Sequence, residues 1–455
     1  MPTPDLTRAE RGAYGRLERK RRSRSSLGDL VLAPTADRVG AVFAQETDRV
    51  QSLLPLRHER MSVSPHAFFR GTAVIMAADL AASPSTKLHA QICGDAHAAN
   101  FGIFASPERR LVFDLNDFDE TYRGPIEWDL KRLAVSLLLA AEESGLGNMA
   151  TKAVATTALT SYVEHMRAFA DMPTLQVWYA RLDGRTITAH LDERRAAQMR
   201  VEGDKARSRS AGRALQKFVE HDDAGVARFR ERPPRLQRLP ERDLVEAMVG
   251  TYLESLPPEW ALLMRRFSVQ DLAFKAVGVG SVGTRCLVAV LDSGDPDDLV
   301  LIQLKEANRS VLAGHVPGPG PRNQGRRVVV GQKLMQAVGD VLLGWTRSPV
   351  TGRDYYVRQL WDMKGDLDIS QLGRHGLTMH AYLCGWALAR AHARTGDPVA
   401  IAGYLGGGGK VSDAVLTYAE QYTAVVHDDY AAFVAAVGDA APLDESRVDL
   451  SGWAD

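Results

Sequence analysis

Cysteine is scarce in this chain. There are three in 455 residues, Cys93, Cys286 and Cys384, far apart and with no CxxC spacing. That excludes a disulfide framework and a cysteine-built zinc site, and it is the usage expected of a reducing compartment. An excess of charge of either sign is also missing. Lys and Arg number 56, Asp and Glu 56, and the formal net charge is zero, so no overall field favours nucleic acid or a membrane surface. No apolar run approaches the roughly 20 residues of a transmembrane helix. The opening MPTPDLTRAERGAYGRLERKRRSRSS lacks the apolar core of a signal peptide. Internal repeats and low-complexity tracts are absent. A cytoplasmic protein is expected, with neither membrane nor nucleic acid as partner.

What is present is a hydrophobic fraction of 45%, ample for one large domain or two to three smaller ones. Residues 1–60 read as a basic, surface-lying arm followed by helices. Residues 61–180 mix probable helices (63–81, 128–141, 150–170) with two short β-like segments, His89–Cys93 and Leu111–Asp114. Residues 181–266 are rich in Arg and Glu and end in RERPPRLQRLP, the composition of solvated helices and a linker. They carry a basic cluster that includes Arg194, Arg195, Arg200, Lys205 and Lys217. Residues 267–365 turn strand-like: AFKAVGVGSVG, TRCLVAVL and LVLIQLKEA predict three antiparallel strands. Residues 366–455 return to helix. The fold class expected is α+β in two lobes, a small antiparallel sheet and a mainly helical lobe assembled from both ends of the chain.

Four constellations carry chemistry. In Gly94-Asp95-Ala96-His97-Ala98-Ala99-Asn100 an Asp is followed five residues later by an Asn, after a short apolar strand. This is the spacing of a kinase catalytic loop, where the Asp takes or orients the proton of the attacking hydroxyl and the Asn holds magnesium on the phosphates. Such residues are also ordinary turn formers. In Phe113-Asp114-Leu115-Asn116-Asp117-Phe118-Asp119-Glu120 an apolar strand ends in an acidic cluster whose mutual repulsion calls for a cation. Asp117 is the expected metal ligand, with Asp119 and Asp114 in reserve. Asp129, in Trp128-Asp129-Leu130, either opens a helix or ties the catalytic loop to it.

The third constellation is Gly278-Val279-Gly280-Ser281-Val282-Gly283. A GxGxxG that opens a helix points to a dinucleotide fold. Here the residues that follow read as a strand, so the turn lies between two strands, where backbone amides can cover ATP phosphates. A plain glycine hairpin is the alternative. The fourth is Lys305, inside the strand that follows, where a lysine needs a partner and can grip the α- and β-phosphates. Gly278, Gly280, Ser281, Gly283 and Lys305 are thus the candidate nucleotide-binding residues. The catalytic loop precedes the glycine turn by about 180 residues. Circular permutation of a protein-kinase-like fold accounts for that order, since sites are assembled in space.

The runs RMSVSPHAFFRG, CGDAHAANFG, FDLNDFDET, GPIEWDLKRLA and ALARAHARTGD resemble the bacterial domain of unknown function 2252 family over nearly the whole chain. GDAHAANFG and NDFDE also resemble the catalytic and metal motifs of aminoglycoside and choline phosphotransferases. That resemblance implies a catalytic Asp95, metal ligands at Asn100 and Asp117, and ATP with Mg2+ as cofactors. The acceptor is an unknown hydroxyl compound or protein. One departure stands out: between Ala307 and Gly339 there is no Asp or Glu to pair with Lys305. Gln332, Gln336 or an inward-turned Glu306 are the substitutes on offer. Other readings are AMP transfer from a reversed nucleotide and a non-catalytic pseudokinase. A calcineurin-like phosphoesterase with His97 as ligand is a remote one, because its downstream motifs are missing and Gly147-Asn148 is followed by Met149.

Overall fold

The computed structural model describes residues 5–184 except 36, and residues 211–438 except 234, 241, 277–279, 281, 296–297, 317, 319 and 361–368. It is an α+β protein with a sheet lobe and a helical lobe. Among the described residues no helix is long and apolar enough to cross a membrane.

The helical lobe is organised by Ile126–Glu143, whose apolar residues occur all round rather than in a stripe. Residues 126–141 are all buried, as expected of a helix enclosed on every side. Asn148–Asp171 packs beside Arg374–Thr395 so closely that a Cβ on Gly385 would stand 2.2 Å from Ala158 O. Gly409–Val437 covers the central helix and buries Phe433 and Tyr422. The segment 63–81 is not one helix. Ser64 caps Pro65–Arg70, the chain breaks at Gly71-Thr72, and Ala73–Ala82 follows. The break has a cause, because Arg57 Nη2 takes the Gly71 carbonyl at 3.1 Å. The basic N-terminal stretch is a surface helix. Thr7 and Glu10 form a capping box on helix Arg8–Arg21, which packs on Pro398–Leu405, and a Cβ on Gly15 would strike Ala400 O at 1.9 Å.

Four short strands lie within the helical lobe: β1 (His89–Ile92), β2 (Phe101–Ala105), β3 (Leu111–Leu115) and β4 (Tyr122–Pro125). β1 pairs with β4 and β2 with β3, both antiparallel. Next come β5 (Leu182–Asp183), beside β3, and a small β6–β7 hairpin (Val219–His221, Ala227–Phe229). The main sheet has the order β12-β13-β11-β10-β9-β8. Its members are β8 (Leu236–Arg238), β9 (Ser268–Lys275), β10 (Cys286–Asp292), β11 (Leu299–Glu306), β12 (Gly344–Arg347) and β13 (Asp354–Gln359). All its pairs are antiparallel. β10 is buried from Cys286 to Leu291, which explains its unbroken apolar text. The sheet starts earlier than composition suggested: β8 comes from the stretch read as a linker. Arg194, Arg195, Arg200 and Lys205 of the basic cluster lie outside the described residues.

Candidate functional site

Asp95 sits on a turn that leaves β1 and is fixed from below. The carboxylate of Asp129 accepts the backbone N–H of Cys93 at 2.7 Å and of Gly94 at 2.9 Å, while His392 Nε2 lies 3.2 Å away. Asp129 therefore does more than open its helix, because it binds the helix to the turn. Gly94 has φ +80°, and a Cβ there would meet Glu120 O at 2.5 Å, so only glycine fits. Further along, Ser136 Oγ accepts from Ala98 N at 2.8 Å, and His380 Nε2 donates to Ala98 O at 2.8 Å.

The Asn100 amide donates to Asp95 O at 2.7 Å, which leaves its Oδ1 as the side-chain atom available to a cation. Arg132 Nε donates to Asp95 Oδ1 at 2.7 Å. Burial pushes the Asp95 carboxyl above its usual range, and Arg132 pulls the other way. His97 is buried, and its Nδ1 has no hydrogen-bond partner. Its Nε2 stands 3.7 Å from Asp95 Oδ2. Burial, then the charges of Arg70 and Arg132, hold the His97 ring well below the usual histidine range, so it is neutral.

The acidic run after β3 divides into three fates. Asp114 is buried in a pair with Arg390 Nη2 at 2.7 Å and also accepts from Ala337 N. It faces the helical core and is no reserve metal ligand. Asp119 has both oxygens engaged, Oδ1 by the Tyr356 hydroxyl at 2.9 Å and Oδ2 by the Lys305 ammonium. Asp117 remains about one-third exposed at the cavity wall, with Lys305 Nζ 3.9 Å from its Oδ2. The backbone of this run is held by Arg327, which donates to Asp119 O and Thr121 O.

Lys305 is 4% exposed. Burial works against its charge, but Asp117 and Asp119 outweigh burial and hold the amine well above the usual lysine range. The substitutes expected for the missing helix carboxylate do not serve. Gln332 donates to Gln336, Gln336 donates to Leu115 O, and Glu306 accepts from Arg353 and from Arg285 N. Asp119 is the partner instead.

A cavity of about 130 Å³ is lined by Asp95, His97, Asn100, Asp117, Asp119 and Glu120. Gly280 and Val311 line it as well, and so do Arg49 and Arg70. Gly283 has φ +84° and lies against Arg49. Gly278 and Ser281 lie outside the described residues. Burial pushes the Glu120 carboxyl up to about 7, with Arg327 opposing. Among the described residues no three His, Cys, Asp or Glu side chains gather to hold a metal ion.

A family model, that of an uncharacterized protein conserved in bacteria (DUF2252), matches residues 49–436. The chain belongs to the DUF2252 family. No curated protein and no solved structure matches it. The DUF2252 match spans every residue of the cavity wall except Gln45.

Sequence reasoning missed Arg132, Arg49, Arg70, Tyr356 and Arg327. Arg132 alone left a local signal, three residues after Asp129 and so on the same helix face.

Proposed function

We propose that this DUF2252 chain is an ATP- and magnesium-dependent phosphotransferase acting on a hydroxyl acceptor, built on a circularly permuted protein-kinase-like fold. In this reading residues 267–365 grip the nucleotide, and residues 61–180 and 366–455 form the catalytic helical lobe. One observation carries the proposal. Lys305, from a strand 188 residues beyond Asp117, brings its ammonium to Asp119 and to within 3.9 Å of Asp117, at the cavity that also holds Asp95 and Asn100. Residues of three of the motifs, Asp95 with Asn100, Asp117 with Asp119, and Gly280, line that cavity, and the fourth motif's Lys305 pairs with the second, which supports the reading.

The residues suit magnesium. Asp117 and the Asn100 carbonyl would hold the ion as two hard oxygen donors, the ligand type magnesium prefers. When bound, magnesium neutralises charge on the phosphoryl oxygens. The chain's own residues do the rest. Asp95, paired with Arg132, accepts the proton of the acceptor hydroxyl. The acceptor oxygen forms a bond to the terminal phosphorus, the bond from that phosphorus to the bridging oxygen breaks, and ADP leaves with the electron pair. Lys305 places its charge against the nucleotide's phosphates, and Asp129 fixes the turn that aims Asp95.

The test is thermal melting of the full chain. A ligand that binds only the folded state stabilises it by RT ln(1 + [L]/Kd), about 2.7 kcal/mol at a hundredfold excess over Kd. ATP with magnesium should raise the melting temperature, and Asp117→Ala should largely remove the rise. No shift at millimolar ATP would end the proposal.

A further inference from the structure

Part of the cavity wall comes from the arm that precedes Asp95 in the chain. Arg49 and Arg70 reach it from there, beside Gly71. This arm also grips the glycine turn: Val50 N donates to Gly283 O at 2.8 Å, Arg49 Nη1 to Val282 O at 2.6 Å, and Arg57 Nη1 to Gly280 O at 3.0 Å.

The arginines of the arm are not equivalent. Arg57 is paired with Glu46 at 3.0 Å. Arg49 has no carboxylate within ion-pair distance among the described residues, and its Nε is buried without a partner. Burial, reinforced by the charge of Arg57, pulls its guanidinium down to about 10. A mostly desolvated guanidinium with one hydrogen bond is costly unless an anion completes it. Arg70 lines the same cavity, and its charge acts on Asp95 and His97. Two guanidiniums beside a glycine turn offer forked donors matched to a tetrahedral oxyanion. A cavity of about 130 Å³ has room for a phosphoryl group.

We propose that Arg49 and Arg70 form a phosphoryl-binding pair, through which the arm reads a terminal phosphate in the cleft. The source of that phosphate rests on the phosphotransferase reading: it is either the end of a nucleoside triphosphate or a phosphomonoester on the acceptor.

Calorimetric titration of the full chain tests it, with inorganic phosphate at constant ionic strength, MgADP, and Mg2+ with the non-hydrolysable analogue AMP-PNP. Arg49→Gln and Arg70→Gln should each weaken inorganic phosphate about tenfold or more, the worth of one charge-assisted hydrogen bond, and Arg49→Lys should recover part of the loss. If the phosphate is the nucleotide's, AMP-PNP weakens by the same factor, MgADP much less, and phosphate competes with AMP-PNP. If it is the acceptor's, phosphate and AMP-PNP bind together. Should Arg49→Gln not fold, Arg70→Gln and the wild-type phosphate titration carry the decision. Wild-type protein that binds no phosphate, or glutamine variants that bind it unchanged, overturn the pair even if both nucleotides bind. Phosphate binding lost in the variants while neither nucleotide binds wild type keeps the pair and removes the phosphotransferase reading.

Discussion

Arg132 reaches Asp95 from one turn beyond Asp129, the residue that holds the Asp95 turn in place. Its Nε donates to Asp95 Oδ1 and its Nη2 to Phe69 O, both at 2.7 Å, with the guanidinium 3.8 Å from the centre of the Phe69 ring. One cation thus joins the turn to the first half of the broken helix. It also opposes the rise that burial imposes on Asp95. Arg132→Gln should move the acid limb of the pH–rate profile to higher pH, because Asp95 must be ionised to take a proton. Stability should fall by roughly 3–5 kcal/mol, the cost of leaving one partner of a buried pair alone, as read by urea unfolding. An unmoved acid limb would remove Asp95 from the proton-accepting role.

Asp95 and Asp117 should separate under substitution. Asp95→Asn should leave ATP affinity close to wild type and lower turnover by about 10²–10⁴-fold, the worth of a positioned acid–base group. Asp117→Ala should damage both, since in the proposed function Asp117 is a metal ligand. Slow ATP hydrolysis or self-modification is a sufficient first readout. The reverse pattern would mean the two roles are exchanged.

Asp129→Ala should be a stability variant first. It strands the Cys93 and Gly94 N–H groups and His392 in the interior, and hydrogen bonds to a buried charge are worth about 1.5–3 kcal/mol each. A loss of about 3 kcal/mol or more is expected in denaturant unfolding, whether or not nucleotide is present. A loss under about 1 kcal/mol would show that the turn is held by Ser136 and His380 instead.

Lys131 supplies a pH test away from the cavity. It is 2% exposed and lies 3.9 Å from the centre of the Tyr418 ring. Burial pulls its amine down to about 8, with Glu127 opposing. The unfolded chain therefore binds more protons between about pH 8 and the ordinary lysine value. Stability from this group rises with pH across that window and is depressed below it. Lys131→Met should be more stable than wild type at pH 7, by on the order of 1–3 kcal/mol, with the gap closing by pH 10.5. A pH-independent gap would show that the ring contact compensates the ammonium fully.

What could be read in the sequence was whatever depends on close spacing. Asp95 with Asn100, the acidic run after β3, and the glycine turn before β10 are all local patterns. Their partners were not legible, because each comes from far along the chain. For Lys305 the sequence offers only Gln332, Gln336 or Glu306 nearby, whereas its carboxylate lies 186 residues earlier. Asp114 looked like a spare ligand, yet Arg390, 276 residues on, takes it into the core. β8 hid in a charged stretch because an edge strand of three residues carries almost no periodicity. Arg49 and Arg70 carry no sequence signal, since burial of a cation by packing leaves no mark in composition.

The pairing of Asn148–Asp171 with Arg374–Thr395, tight enough at Gly385 to exclude a side chain, also governs how the protein is made. About 200 residues separate the two helices. At roughly 5–20 residues per second of synthesis, the first waits about 10–40 s for its partner. Throughout that interval Ile126–Glu143, enclosed on all sides in the finished fold, has Asn148–Asp171 beside it but lacks the cover of Gly409–Val437. The turn carrying Asp95 has its Asp129 anchor but not yet His380 or His392. The half that carries Asp95 and Asp129 is therefore the first half written and the last to close. Aggregation during expression should track the arrival of the C-terminal helices, and a chain stopped before Arg374 should depend on chaperones to stay in solution.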